Sequence, residues 1–419
     1  MPATWSSAGA AAVTLAGLEA DPHPVLARLR AAAPVSWVPA LGAWLVTGYD
    51  LAVEVLRDAQ TFTVDDPRFS TAKVVGSSML SLDGPRHARH RGPFNRAFRH
   101  DEVHARLASF TAVEAGRLVA AIRPRGAAEL RRAVAGPLAV AVMAEVLGLG
   151  RTVRADPAAI LAWYDGIVAA VQAEAANSPD AGPEPGRSGR AGPPAAGSAG
   201  SAAFAPGPAG SAAFAELAAS LREVIRTPGS SLLSEVTGPL TEAEAISNAA
   251  VLMFGGIETT EGMIANALLH LLSSPGQLSL VLDDHGLVPA AIEESLRLEP
   301  AAAVVDRYAT TGTRLGGAGI RSGDQVTVSI AAANRDPAVF PDPDRFDIGR
   351  GNAARHLAFA YGPHFCLGAH LVRLEARIAV ETMLDRLPRL RLDPCYPSSR
   401  PRGLVFRKPA GLHVRWDTR

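Results

Sequence analysis

Cysteine is scarce in this chain, which has 419 residues and only two cysteines, Cys366 and Cys395. Two cysteines are too few for a disulfide framework, so the sequence predicts a protein of a reducing compartment. Each thiol is therefore expected to be free, and each is available as a thiolate ligand or nucleophile.

Long apolar runs and an excess of positive charge are also missing. No run approaches the roughly 18 residues that a membrane-spanning helix needs, and residues 1–24 have no basic leader before their apolar stretch. Basic and acidic side chains balance at 41 each, whereas proteins that bind nucleic acid or a membrane surface usually carry a basic excess. We expect a cytoplasmic globular protein with neither kind of partner.

Helix-forming stretches rich in Ala, Leu, Arg and Glu make up most of what is present. Hydrophobic residues account for 48% of the chain, which is enough for a packed core. Alternating apolar residues at Val326, Val328 and Ile330 predict one strand, and residues 44–46 predict another. Because no interior linker divides the chain, we predict a single large domain over residues 1–419, mainly α with small β-sheets, an α+β fold.

Residues 177–210 differ in composition from the rest, being dominated by Pro, Gly, Ala and Ser. The heptapeptide AGSAAFA occurs at 199–205 and again at 209–215. Such a segment buries too little apolar surface to offset its ordering entropy, so we predict a low-complexity flexible insertion within the domain. An inert linker and a functional lid both remain open.

One long helical pattern covers residues 241–272 and opens with a Thr-x-x-Glu capping box. A helix of about 30 residues spans roughly 45 Å, and its apolar centre at 249–257 should be buried. Gly255 and Gly256 nevertheless stand in the middle, where glycine is disfavoured by roughly 1 kcal/mol relative to alanine. Glycines kept at such a position indicate a functional role for this part of the helix.

The stretch around Cys366 reads Phe-Ala-Tyr-Gly-Pro-His-Phe-Cys-Leu-Gly over residues 359–368. A cysteine between glycines can receive backbone N–H groups at its sulfur, which stabilise the thiolate and let a flat cofactor approach closely. The alternative interpretation is a buried, inert thiol.

Residues 359–368 resemble the cysteine-ligand loop of cytochrome P450 enzymes, and other segments agree in the order that this family shows. The similar segments are the oxygen-activation motif at 255–260, the Glu-x-x-Arg helix at 294–297 and the later arginine segment at 343–346. The resemblance extends from about Asp21 to Trp416. It implies the P450 fold, in which a long central helix lies over a buried haem b (iron protoporphyrin IX).

The resemblance also implies a role for individual residues, with Cys366 as the axial ligand of the haem iron. The residues expected to lie against the haem are Phe359, Gly362, Gly368 and Gly255. Those expected to bind its propionates are His87, Arg91, Arg307 and His364, whereas their neighbours Arg86, Arg89 and His90 are expected to be exposed. Thr259 and Glu258 are expected to organise a proton relay. The expected structural triad is Glu294, Arg297 and Arg345, with the first two paired at i,i+3.

The implied reaction is the insertion of one oxygen atom from O2 into a hydrophobic small molecule, such as a terpenoid or polyketide of secondary metabolism. Electrons are expected from a ferredoxin and its reductase, which would dock on the cysteine side of the haem near Arg96, Arg99 and Arg373. A monomer is expected. The expected pocket residues are apolar: Val74, Val75, Val251, Phe254, Ala303, Val305 and Leu404.

Two other functions remain open at this point. A peroxygenase would use hydrogen peroxide and dispense with the relay of Glu258 and Thr259. A haem-based sensor or carrier would keep Cys366 and need no relay at all.

Overall fold

The computed structural model describes residues 10–151, 160, 162–164, 166–167, 170, 208–227, 232–236, 238–396 and 400–418. The predicted insertion at 177–210 lies outside these residues, except that residues 208–210 begin a helix. The helices of more than three residues that we label are α1 (Leu15–Ala20), α2 (His23–Ala32), α3 (Tyr49–Arg57), α4 (Ser70–Val75), α5 (Gly84–Arg91), α6 (His100–Ile122), α7 (Gly136–Leu147), α8 (Pro208–Arg226), α9 (Leu232–Val236), α10 (Glu242–Leu272), α11 (Pro275–Asp283), α12 (Val288–Leu298), α13 (Ile330–Ala333) and α14 (Ala369–Arg386).

Short strands form three small sheets in the described part of the chain. Their bounds are β1 (Val35–Val38), β2 (Ala43–Val46), β3 (Phe62–Thr63), β4 (Ala127–Glu129), β5 (Val304–Ala309), β6 (Thr313–Leu315), β7 (Ala318–Ile320), β8 (Gln325–Ser329), β9 (Arg391–Leu392) and β10 (His413–Arg415). The sheets have the orders β1-β2-β8-β5-β3, β4-β10-β9 and β6-β7. Helices with small sheets confirm the predicted fold class.

Both strands predicted from the sequence are present, and they pair with each other. Strands β2 and β8 run parallel, with Trp44 opposite Val326. The predicted alternation ends one residue early, because Ser329 caps a short helix: its hydroxyl accepts a hydrogen bond from the Ala332 N–H at 3.2 Å. Ile330 therefore begins α13 instead of extending the strand.

The long helix α10 lies at the centre of the helical layer. Its capping box is formed as predicted, since the Glu244 N–H donates to Thr241 Oγ1 at 3.3 Å and the Thr241 N–H donates to Glu244 Oε2 at 3.0 Å. It packs against α7, α12 and α14, and α14 in turn packs on α6. Most side chains of α10 are buried, including those of its apolar centre. The helix therefore positions the neighbouring helices that pack against it.

A helix that crosses a membrane must be long and apolar, and this can be examined for each of the described helices. None of them combines the length and the apolar character that crossing a membrane demands.

Candidate active site

The cysteine loop turns back on itself just before α14. The Cys366 N–H donates to the Phe359 carbonyl at 2.8 Å, which closes the loop. Ala360 and Gly362 both have positive φ, at 59° and 72°. At Gly362 a Cβ atom would lie 2.7 Å from the Leu56 carbonyl oxygen, so this position accepts only glycine. The backbone thus fixes where Cys366 is presented.

The surroundings of Cys366 act on its ionisation in opposite directions. Burial raises the pKa of the thiol, whereas a hydrogen bond from the Gly368 backbone and the charges of Arg91 and Arg373 lower it. These are the groups that would stabilise a thiolate once a cation binds the sulfur. Cys395 is an exposed free thiol outside this environment.

Four predicted propionate ligands converge beside the cysteine loop. The rings of His87 and His364 have their centroids 4.4 Å apart, and His364 Nε2 lies 2.7 Å from Asp83 Oδ1. Arg91 donates to the Phe365 carbonyl at 2.7 Å. Arg307 is buried, and its guanidinium donates to the carbonyl of Asp306 at 2.8 Å. The structure therefore brings together four basic side chains from α5, β5 and the cysteine loop.

The four basic side chains of this cluster favour the binding of an anion. Burial, followed by the charges of His364 and Arg91, lowers the pKa of His87 to about 4. The buried Nε2 atom of His87 has no hydrogen-bond partner among the described residues. Burial also lowers the pKa of His364, and Arg307 and Arg91 add to that effect while Asp83 opposes it. A pair of carboxylates would satisfy these groups, so the residues fit the propionates of haem.

The two glycines of α10 differ in their surroundings. A Cβ atom on Gly256 would overlap the Met143 side chain of α7, whereas one on Gly255 would meet nothing within 4 Å. Thr259 donates to the Gly255 carbonyl at 2.6 Å. Gly256 thus leaves room for the Met143 side chain between the two helices, whereas the Cβ position of Gly255 is free of neighbouring protein atoms.

The carboxylate of Glu258 has two partners that the sequence analysis did not identify. Lys408 Nζ lies 2.9 Å from Glu258 Oε1, and the Tyr164 hydroxyl donates to Oε2. Lys408 is one of only two lysines in the chain, the other being Lys73. That rarity was the one signal in the sequence, because neither partner is near Glu258 along the chain.

The structural triad is present with one predicted member replaced. Arg297 binds Glu294 through Nε at 2.7 Å and Nη2 at 2.8 Å, and both side chains are fully buried. The prediction of Arg345 as third member is wrong, since its side chain is exposed and its carbonyl accepts from Arg297 Nη2 at 3.1 Å. Arg350 supplies the second guanidinium, with Nε 3.0 Å from Glu294 Oε1.

The prediction that His90 is exposed is also wrong, although Arg86 and Arg89 are exposed as expected. The His90 side chain is only 2% exposed, and its Nδ1 lies 3.0 Å from Asn248 Nδ2 on α10. The reason is helical spacing: His90 is three residues after His87, so both face the same side of α5.

The seven predicted pocket residues do not form one cluster. Four of them share the main apolar core, namely Val74, Val75, Val251 and Phe254. Ala303 and Leu404 pack in a second core with the N-terminal helices, and Val305 packs against a third. Phe406, which was not predicted, packs against the main core, where its ring meets Phe254 edge-on with centroids 5.6 Å apart.

The three predicted docking arginines differ in exposure. Arg96 and Arg99 are exposed. Arg373 instead binds Glu293 through two hydrogen bonds of 2.6 and 2.9 Å, and its guanidinium lies over the Phe359 ring at 4.4 Å from the centroid.

Comparison with known proteins assigns this arrangement to a family. The sequence model described as Cytochrome P450 matches residues 282–408. The cytochrome P450 monooxygenase PikC of Streptomyces venezuelae is 36% identical over 95% of this chain and 91% of its own length. The chain belongs to the cytochrome P450 family.

Other P450 relatives agree along nearly the whole length. Nocardicin C N-oxygenase of Nocardia uniformis subsp. tsuyamanensis is 31% identical over 94% of this chain and 96% of its own. The crystal structure of CalO2 superposes with a TM-score of 0.81 at 28% identity, covering 97% of this chain and 99% of that one. P450BioI, solved with an acyl carrier protein carrying hexadec-9Z-enoic acid, gives 0.79 at 28% identity, with 95% and 99% covered. This P450 is accordingly a monooxygenase whose cofactor is haem b.

Proposed function

We propose that this P450 inserts one oxygen atom from O2 into a hydrophobic small molecule of secondary metabolism, with Cys366 as the axial ligand of the iron. The observation that carries the proposal is the convergence of Cys366 with a buried basic cluster in which His87 Nε2 lacks a partner. A thiolate donor beside paired cations suits an iron porphyrin with two carboxylates.

The basic cluster fixes the orientation of the cofactor in this proposal. His87, Arg91, Arg307 and His364 would bind the propionates. When bound, haem activates dioxygen at its iron, and thiolate ligation raises the electron density on the metal. Gly368 contributes its backbone N–H to the sulfur. The loop closed between Phe359 and Cys366 keeps the thiol in place, and Gly362 packs the loop directly against the backbone of Leu56 and Arg57.

Thr259 and Glu258 would deliver protons from α10. The Thr259 hydroxyl donates to the Gly255 carbonyl at 2.6 Å, which orients its oxygen lone pairs away from the helix axis. Glu258 carries the ionisable group of the pair. Gly255 leaves open space beside both residues, so an oxygen species and a substrate can lie against the helix at this point.

The electrons are proposed to come from a ferredoxin and its reductase in the cytoplasm. Arg96 and Arg99 are exposed basic side chains next to α6, and they suit an acidic partner because complementary charge speeds encounter. Arg373 is less suited to this role, because it is only 33% exposed and is held by Glu293 and the Phe359 ring. Arg96, by contrast, is 80% exposed although it pairs with Glu102.

The substrate is proposed to be apolar. Val251 and Phe254 present apolar side chains from α10, next to Gly255, and Val74 and Val75 add to the same cluster. One relative is the nocardicin C N-oxygenase of Nocardia uniformis subsp. tsuyamanensis, which agrees with a role in secondary metabolism.

The decisive experiment is turnover of Thr259→Ala with a ferredoxin system. The variant should consume electrons and O2 but release hydrogen peroxide in place of product, while the haem spectrum and substrate affinity stay close to wild type, because only one hydroxyl is lost. Thr111→Ala, which removes a buried hydroxyl from α6, is the matched control and should leave the product yield per electron unchanged. Unaltered yield in Thr259→Ala would remove the relay role from Thr259 and would favour a peroxygenase or a relay supplied by the substrate itself.

A further inference from the structure

Lys408 places its ammonium group between two carboxylates of α10. Its Nζ lies 2.9 Å from Glu258 Oε1 and 2.5 Å from Glu261 Oε2. The three side chains are only 16%, 11% and 13% exposed, so solvent screens their interaction less than that of a surface pair. This arrangement gives one cation two anionic partners at the same time, one helical turn apart on α10.

The two carboxylates differ in what else holds them. Arg131 Nε lies 3.5 Å from Glu261 Oε1, so Glu261 keeps a cationic neighbour whether or not Lys408 is present. Glu258 has, besides Lys408, the hydroxyl of Tyr164. Loss of the lysine charge is therefore felt mainly at Glu258.

Lys408 belongs to the same C-terminal segment as residues that face the apolar core. Arg402 and Lys408 form an isolated β-bridge, and a second bridge joins Phe406 to Ala302. The Phe406 ring contacts Phe254 on α10. A Cβ atom on Gly262 would lie 3.5 Å from Lys408 Cβ, so the lysine stem lies against α10. Lys408 thus connects this segment directly to the acid of α10.

We propose that Lys408 is a positioning residue for proton delivery. It holds the Glu258 carboxylate at rest, and Glu261 remains its partner when Glu258 turns away to move a proton. The exchange leaves the ammonium paired throughout, which avoids the large penalty of a shielded, unpaired charge. This inference rests on the proposed role of Glu258 in the relay.

A double-mutant cycle with the haem-loaded enzyme tests the inference. Lys408→Met, Glu258→Gln and the double variant are compared by product formed per electron consumed and by the solvent deuterium isotope effect on product formation. Each single change should lower the product yield by about a hundredfold, the low end of what proton-transfer groups contribute. The double variant should be no worse than Glu258→Gln, because Lys408 acts through Glu258. Lys408→Arg keeps the charge and should restore most of the yield.

The controls separate this role from a structural one. Arg222→Met removes an ion pair of 3.1 Å with Glu242 at the start of the same helix and should change neither readout. Additive losses in the double variant, or a wild-type yield in Lys408→Met, would overturn the inference and leave the relay intact. A wild-type yield in Glu258→Gln would overturn the relay itself and this inference with it.

A second variant keeps the inference testable if Lys408→Met fails to accumulate haem-loaded protein. Glu261→Gln removes the alternative partner, so Lys408 should stay on Glu258 and the product yield should fall with an increased isotope effect. That loss should vanish in the Glu258→Gln background. A wild-type yield in Glu261→Gln would contradict the exchange of partners.

Discussion

A thiol that is to bind iron has to be presented in one orientation and to lose its proton. At Cys366 the orientation comes from the hydrogen bond to the Phe359 carbonyl and from the backbone turn at Gly362. Burial alone raises the thiol pKa and opposes ionisation. The Gly368 backbone and two arginines act against burial, so the site is arranged for a thiolate that is completed by a metal.

The first prediction concerns the two thiols. Cys366→Ala should abolish the absorption band that thiolate-ligated haem shows with carbon monoxide, because the sulfur donor is lost. Cys395→Ser should keep the band, since Cys395 is exposed and outside the loop. Carbon monoxide difference spectra of the reduced proteins give the result. Loss of the band in Cys395→Ser alone would contradict the assignment.

Two neighbouring glycines of α10 show how one helix can meet two different requirements. The surface at Gly256 is filled by Met143, which lets α7 and α10 approach closely, and the surface at Gly255 is open. The motif therefore combines a packing contact with a clearance for ligands. Sequence alone does not separate these two roles, because both residues are glycine in a helix.

The second prediction separates the two glycines at the level of this helix. Gly255→Ala should raise stability by about 1 kcal/mol, the gain in helix propensity. Gly256→Ala should lower it by about 1 to 2 kcal/mol, because overlap with Met143 outweighs that gain. Denaturant unfolding of the haem-loaded variants measures both. Equal effects of the two substitutions would refute the difference in packing.

The third prediction concerns the arginines that follow α13. Arg350→Ala leaves the fully buried Glu294 with one guanidinium instead of two, and removing a partner of a buried ion pair costs about 3 kcal/mol or more. We expect little haem-loaded Arg350→Ala protein to accumulate. Arg345→Ala is the control and should stay within about 0.5 kcal/mol of wild type, since its side chain is exposed. Haem content per protein reports the outcome, and a larger loss in Arg345→Ala would restore the triad inferred from sequence.

On the scale of the whole molecule, what the sequence predicted well was local. The capping box at Thr241, the separate strands through Trp44 and Val326 and the loop around Cys366 each depend on a pattern of residues within a few positions of one another, although the pairing of the two strands does not. Helical spacing would also have identified His90 as buried, because His87 lies on the same face.

Contacts between residues that are far apart in the sequence could not be predicted in this way. Lys408 meets Glu258 from 150 positions away, and nothing in the pattern around either residue points to the other. The choice between Arg345 and Arg350 depends on the backbone path after α13, along which both arginines look equivalent in sequence. The contacts between distant parts of the chain are therefore the part of the site that only the structure shows.

The fourth prediction is a loss of stability in acid that involves three histidines, His87 and His90 on α5 and His270 on α10. Burial lowers the pKa of His87 and of His270 to about 4, and it lowers that of His90 as well. Between pH 6.5 and 4 the unfolded chain therefore binds more protons than the folded one, so the free energy of unfolding falls as the pH falls. Each histidine contributes at most about 1.4 kcal/mol per pH unit.

The measurement is the thermal midpoint at pH 7.5 and at pH 5.5. The difference between the two should shrink in His270→Phe, which keeps a ring beside Phe346 and removes the titrating group. Since His270 is remote from the basic cluster, haem loading does not complicate this comparison. An unchanged difference in the variant would show that His270 does not contribute to the loss.

The open surface at Gly255 also has a consequence for how this enzyme can diversify. A side chain added there meets no protein atom within 4 Å and favours the helix, so under the proposed function its cost falls on the oxygen and substrate that lie against the helix and not on the fold. At residue 256 the same mutation would overlap the Met143 side chain and lower stability. Over generations, and in a directed-evolution library, a change at residue 255 should alter substrate range or product yield without loss of the fold, whereas a change at residue 256 should be selected against through stability.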